Sequence, residues 1–288
     1  MSDVLDVPLS QWRQDEEIKI FNDAVSQFFE KELKPHVEDW REAGAVPRDV
    51  WYKAAEQGLL LVSAPEEYGG AGGDFRHDAV IIEQLEQQGI AGFGIGLHNA
   101  IVAPYIIHYG SDEQKQRLLP KLASGELVCA IAMTEPGTGS DLQNIKTTAK
   151  KDGNGYVING SKTFITNGQT ANLILVCAKT DPSKGAKGIS IMMVETDEVD
   201  GFERGRNLKK IGQPAADTSE LFFNDVKVPA SALLGPEEGQ GFIQLMQQLP
   251  QERHIIGIQG IGMIERALRE TVAYVKQRKA FGGTIMDF

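Results

Sequence analysis

Lys151-Asp152-Gly153-Asn154-Gly155-Tyr156-Val157-Ile158-Asn159-Gly160 is the stretch that decides the fold. The Asp-Gly and Asn-Gly pairs are a strong hairpin-turn signal, and the Tyr-Val-Ile run behind them is strand chemistry. Working outward, Leu173-Ile174-Leu175-Val176, Ile189-Ser190-Ile191-Met192-Met193-Val194 and Glu220-Leu221-Phe222-Phe223 are further short β-type runs separated by turn residues. Residues 128–240 therefore read as a β domain.

The flanks read differently. Ile18, Phe21, Val25, Phe28 and Leu33 recur at spacings of three, four or five, which gives one apolar helical face, and Pro35 ends or bends it. Val80, Ile81, Leu85 and then Ile101, Ile106, Ile107 mark more buried helices. Ser111 with Gln114 predicts a capping box at a helix start. Gly69 to Gly73 is a loop and lacks the GxGxxG spacing, so it receives no phosphate-binding role. Residues 1–127 read as a helical domain.

Residues 241–288 turn helical again, with Ile258, Ile261, Ile264, Leu268, Val272 and Val275 as a long apolar stripe. Gly257, Gly260 and Gly262 cost helix propensity, and close packing is the expected reason for them. One helix cannot bury such a stripe alone. It packs on the earlier domains, or the rest of a helical domain lies beyond Phe288; the second is the expectation, which makes the chain a fragment. The fold class is α+β multidomain, and the missing βαβ alternation excludes a Rossmann fold.

Composition narrows the function. The chain has 288 residues, enough for a large core, and 24% of them are charged. A formal net charge of -11 speaks against nucleic-acid binding as the main role. No segment is apolar and long enough to span a membrane. Met1 to Gln14 is polar, contains Asp3 and Asp6, and lacks the look of a leader peptide, so cytoplasmic placement in a bacterium is the plain reading. Cys129 and Cys177 read as buried free thiols, with a disulfide as the alternative. No CxxC or HExxH spacing exists, so no metal site is expected.

One turn stands out chemically. Thr134-Glu135-Pro136-Gly137-Thr138-Gly139-Ser140-Asp141 comes after the apolar run Val128 to Met133 and pairs hydroxyls with the backbone freedom of glycine. Phe164-Ile165-Thr166-Asn167-Gly168 and Pro250-Gln251-Glu252-Arg253 come later in the chain. The order resembles the acyl-CoA dehydrogenase family, and the last tetrapeptide is similar to its long-chain branch. So are Met246 to Arg253 and Tyr274 to Gly282, while Asp217 to Phe223, on to Val228-Pro229, resembles the family pattern in general. The likeness covers nearly the whole chain. It implies a helical domain, a β-barrel-like domain and the start of a C-terminal four-helix domain. It also implies FAD as cofactor and insertion of a trans double bond into an acyl-CoA thioester.

Residue by residue, the resemblance implies that Ile131, Met133, Thr134, Gly139 and Ser140 line the flavin, with Phe164, Ile165 and Thr166 at its other region. Many relatives carry Trp where this chain has Phe164. Arg278 and Phe281 meet the FAD pyrophosphate region across a subunit interface. Ser140, Lys187, Ile243, Gln251 and Arg253 fall on the substrate side. Ile243 replaces a substrate-contacting Tyr of the long-chain enzymes. Glu252 is the catalytic base: it removes the proton α to the thioester while hydride leaves the β carbon. Burial beside the acyl chain raises its pKa; Arg253 and a helix N-terminus expected at Pro250 oppose the rise.

The same resemblance implies an electron-transfer flavoprotein as acceptor and a homotetramer. Two rivals share the pattern: an oxygen-using acyl-CoA oxidase of the same fold, and a catalytically silent chain that binds acyl-CoA or partners. Arg204, Arg206, Lys209 and Lys210 form the densest basic cluster and read as a solvated loop. His98 reads as a helix-packing residue.

Overall fold

The computed structural model describes residues 10–288, so most of the segment Met1 to Gln14, with its expected lack of a leader, lies outside the described residues. The helical part comprises α1 (Glu16–Phe28), α2 (Val37–Ala43), α3 (Arg48–Glu56), α4 (Phe75–Gln88), α5 (Ala103–Tyr109) and α6 (Asp112–Ala123). A π turn, Phe29–Leu33, comes directly after α1. Its i→i+5 geometry accounts for the five-residue step from Phe28 to Leu33 in the apolar pattern. The chain then bends through a 3-10 turn, Lys34–His36, where Pro35 sits in the first turn and its absent N–H costs nothing. A second π turn, Leu97–Val102, runs directly into α5.

Ser111 caps α6: its side chain accepts from Gln114 N, and the Gln114 side chain accepts from Ser111 N. Ser111→Ala is expected to lower stability by about 1 kcal/mol, read as a shift in the urea midpoint at unchanged slope.

The β part holds β1 (Cys129–Ala132), β2 (Thr148–Asp152), β3 (Gly155–Thr166), β4 (Leu173–Lys179), β5 (Ile189–Glu195), β6 (Phe202–Asn207) and β7 (Thr218–Pro229). Among the described residues these form one curled sheet in the order β1-β4-β2-β3-β7-β6, with β5 also paired to β4. The Asp152–Gly155 hairpin joins β2 to β3 as the sequence predicts. Register shifts at Ile158/Gly160 and Lys162/Ile165 of β3 bend the sheet.

Two apolar cores meet at this sheet. Leu173, Leu175 and Cys177 of β4 face the helices, together with Ile189, Ile191 and Met193 of β5. Ile174, Val176, Ala178, Met192 and Val194 fill the inside of the curl. Both faces are buried, which is why these strands read as unbroken apolar runs.

After the sheet comes α7 (Gly241–Gln277), then a short hairpin of β8 (Lys279–Ala280) and β9 (Gly283–Thr284). Pro250 does not start this helix; it lies inside it. Its ring and missing N–H are tolerated because Pro250 and Met246, one turn earlier, face solvent, where the freed carbonyl meets water.

The seam that α7 buries is Gly241, Gln244, Leu245, Gln248, Glu252, Ile255 and Gly262. The stripe read from apolar spacing lies to one side of it, and Ile261 and Ile264 are exposed. Hydrophobic periodicity misses the true seam because three of its seven residues, Gln244, Gln248 and Glu252, are polar and two more are glycines. Of the three glycines, Gly262 alone has the expected packing reason: an added Cβ would come 2.9 Å from Cβ of Glu86 on α4. Gly257 and Gly260 meet nothing within 4 Å.

Candidate active site

Glu252 points from the buried seam of α7 into the layer between the helices and the sheet, with 8% of its surface exposed. Its Oε1 accepts a hydrogen bond of 2.6 Å from the Tyr105 hydroxyl of α5. That length is typical of a hydroxyl donating to a charged carboxylate. Next to it, Gln251 Nε2 donates to the Ala100 carbonyl inside the second π turn at 2.9 Å. Burial raises the Glu252 pKa above the ordinary range, and the Tyr105 hydrogen bond and the Arg253 charge oppose it. The expected helix N-terminus plays no part, because α7 starts eleven residues earlier, at Gly241.

Ile255 and Ile256 lie three and four residues beyond Glu252, which places them on neighbouring parts of the helix surface. They line a cavity of about 180 Å³ together with Ile82 and Leu85 of α4, Phe93, and Leu97 and Ile101 of the π turn. Thr166, at the end of β3, reaches the same cavity from the sheet. Glu86 and Gln259 also line it and bond to each other at 2.7 Å. Apart from these groups, Thr166 and Gln213, its lining is apolar or glycine; it is built by both the helices and the sheet, and lies one helical turn from the buried Glu252 carboxylate.

On the sheet side, the turn after β1 and the end of β3 make a shelf. Met133 and Thr134 are half-buried and Ser140 is exposed; Gly137 has nothing within 4 Å of an added Cβ. Phe164 sits in the register shift of β3 with φ 59. A bulky residue in the left-handed region costs about 1–3 kcal/mol. This one also holds 67% of its surface in water. Strain plus an exposed ring on a shelf is what a flat aromatic partner would repay, so these residues fit a large planar cofactor. Ile165, between Phe164 and Thr166, turns inward and is 2% exposed; it supports the shelf through packing.

A buried ion pair anchors the shelf. Lys162 Nζ donates to Glu135 Oε1 at 2.9 Å and to the Met133 carbonyl at 3.0 Å. Glu135 also accepts from Lys146 N and Thr147 N. Burial pushes Glu135 up, yet Lys162 and these donors outweigh it and hold the carboxyl below its usual range. Neither residue is evident as a site residue in the sequence. Nor is Tyr105, although a Tyr in an apolar helix needs a partner for its hydroxyl, and that was the available signal.

The other expected residues are not all drawn together. Ile131 is buried in β1 under the shelf, and Gly139 lies on the open side of the turn. Lys187 and Ile243 are exposed near the start of α7, and Arg253 is exposed beside Glu252. Arg278 caps the far end of α7. It is 26 residues beyond Glu252, about 39 Å at 1.5 Å per residue, so the two serve different places on one protomer. Phe281 is 94% exposed there.

His98 is buried, with its ring against Trp51 and Nε2 on the Leu122 carbonyl, as a packing residue should be. Arg206 pairs with Glu220, and Arg204 donates to the Ala171 carbonyl. Both cysteines are free and buried. Among the described residues no group of side chains suits a metal ion, and no helix is long and apolar enough to cross a membrane.

Comparison with known proteins places the chain in a family. Residues 15–126 match the family model "Acyl-CoA dehydrogenase, N-terminal domain", residues 130–226 the middle domain and residues 239–288 the C-terminal domain. The long-chain specific acyl-CoA dehydrogenase of Sus scrofa mitochondria is 49% identical over 268 residues, 92% of this chain and 62% of that protein. The chain thus spans less than two thirds of that relative's length. A crystal structure of an acyl-CoA dehydrogenase from Geobacillus kaustophilus is 52% identical with TM-score 0.92, over 95% of this chain and 72% of that one. A glutaryl-CoA dehydrogenase from Mycobacterium smegmatis, solved in complex with FADH2, is 30% identical with TM-score 0.84, over 95% of this chain and 69% of that one.

Proposed function

The chain belongs to the acyl-CoA dehydrogenase family, and from that membership we propose that the whole protein is an FAD-dependent acyl-CoA dehydrogenase of the long-chain type. The observation that carries the reading is the buried carboxylate of Glu252 one helical turn from a largely apolar cavity that Thr166 also lines. FAD would be held on the shelf by Met133, Thr134, Ser140, Phe164 and Thr166. When bound it supplies the acceptor that takes the β hydrogen as hydride, which leaves a trans-2-enoyl thioester.

The chain's own residues do the rest. Ile82, Leu85, Leu97, Ile101 and Ile255 receive the acyl chain and keep water from it. Glu252 takes the α proton onto a carboxylate oxygen. Its burial raises its basicity, and the Tyr105 hydrogen bond and the Arg253 charge oppose that rise. Ser140, Lys187, Ile243, Gln251 and Arg253 fall toward the CoA and acyl side.

Arg278 and Phe281, far from the cavity, serve the FAD pyrophosphate of a second copy in a homotetramer. Arg suits that task because its fork donates in pairs. An electron-transfer flavoprotein takes the electrons. Residues 1–127, 128–240 and 241–288 are the domain units of this reading, and the two free thiols suit the reducing cytoplasm.

The test is an anaerobic titration of the yellow protein with a panel of acyl-CoA thioesters. Long-chain thioesters are expected to bleach the flavin at once. A protein that stays colourless when given FAD, or a flavin that no acyl-CoA bleaches, would end the proposal. Fast reoxidation in air would move it to an oxidase.

A further inference from the structure

We propose that Tyr105 is the positioning residue for the base: its hydroxyl fixes the Glu252 carboxylate and, by donating to it, sets how readily that carboxylate takes the α proton. The inference rests on the reading of Glu252 as the base.

The geometry is specific. Tyr105 is 0% exposed and its ring is packed, so its hydroxyl has few positions to occupy. It meets Glu252 Oε1 at 2.6 Å. Tyr105 lies at the third position of α5, directly after the π turn Leu97–Val102. Such a turn shifts the angular register of the helix beyond it and recurs at functional sites. The same turn contributes Leu97 and Ile101 to the cavity wall and the Ala100 carbonyl to Gln251. One irregular element thus shapes the acyl cavity and, with α5, grips two successive residues of α7. A buried carboxyl held only by packing would swing; one held by a phenol that is itself immobile does not.

Three groups facing Glu252 can carry charge: Tyr105 from α5, Cys177 from β4, and Arg253 on α7 itself. Burial, and then the neighbouring carboxylate, push the Tyr105 phenol far above its ordinary range, so it remains a donor at any working pH. Burial pushes the Cys177 thiol up to about 11. Burial raises the Glu252 pKa and the Tyr105 hydrogen bond opposes that rise, so Glu252 is the group whose ionisation the acidic limb reads.

A hydroxyl donating to the ionised carboxylate stabilises that form and lowers its pKa; removing the hydroxyl raises it. The base works only when ionised, so without the hydroxyl the acidic limb of the rate profile must move to higher pH.

The experiment measures flavin reduction by palmitoyl-CoA and octanoyl-CoA in an anaerobic stopped-flow instrument across pH. Tyr105→Phe is expected to move the acidic limb up by about one unit, the scale of one hydrogen bond to a charged group. Rates then fall about tenfold on the acidic side and return to the wild-type plateau on the alkaline side. Incorporating 3-fluorotyrosine at position 105 keeps the ring and strengthens the donor, so it moves the limb down.

Tyr109→Phe is the control, because that hydroxyl donates to Gln247 instead. A limb that coincides with wild type in Tyr105→Phe overturns the inference, as does a slowing by one factor at every pH. Both leave the base assignment standing if Glu252→Gln is inactive. Near-normal reduction in Glu252→Gln overturns the base assignment itself.

Discussion

Glu252→Gln is expected to slow reduction of the flavin by acyl-CoA about 10²- to 10⁴-fold, the usual contribution of a positioned general base. The amide keeps the volume of the side chain and an oxygen that accepts from Tyr105, so the seam of α7 should stay packed. FAD content and acyl-CoA affinity are therefore expected to change little. The loss should lie in the chemical step, visible as slow bleaching at saturating substrate. Gln has no useful basicity at any pH, so raising the pH should not restore the rate. Bleaching at near-normal speed would show that the α proton goes elsewhere.

Lys162→Met is expected to cost about 3–5 kcal/mol, because it strands the buried Glu135 carboxylate without its cation. The Lys162 side chain is wholly buried and that of Glu135 nearly so, so water cannot substitute for the lost partner. For a chain of this size the loss corresponds to a melting temperature lower by about 10 °C. FAD retention should weaken in step, since Lys162 also holds the Met133 carbonyl at the edge of the shelf.

Adding Glu135→Gln to the variant removes the stranded charge and leaves an acceptor for one of the two backbone donors, so part of the stability should return. A single variant as stable as wild type, with FAD held as tightly, would show that the pair does not anchor the shelf.

Much of this molecule is legible along the chain. The hairpin at Asp152–Gly155, the box at Ser111 and the apolar strands β4 and β5 depend on contacts between near neighbours, or on burial so complete that every residue must be apolar. Even the π turn after α1 leaves a trace, as a five-residue gap in an otherwise helical spacing. Glu252 is marked by the family resemblance of the segment around it, not by any physical signal of its own.

The partners of these residues are not legible in the same way. Tyr105 and Glu252 are 147 residues apart, and Lys162 and Glu135 are 27 apart on different elements. Spacing fixes which side chains share one face of one helix or strand; it says nothing of which faces meet. The seam of α7 shows the cost of reading apolarity alone. The face turned inward carries Gln248 and Glu252, so the more apolar stripe beside it looked like the buried one. A site that needs a charge inside must place polar residues where pattern expects apolar ones. Local sequence therefore set the elements, and only the packing of α5 and α7 against each other and the sheet decided that a buried acid would have a hydroxyl to hold it.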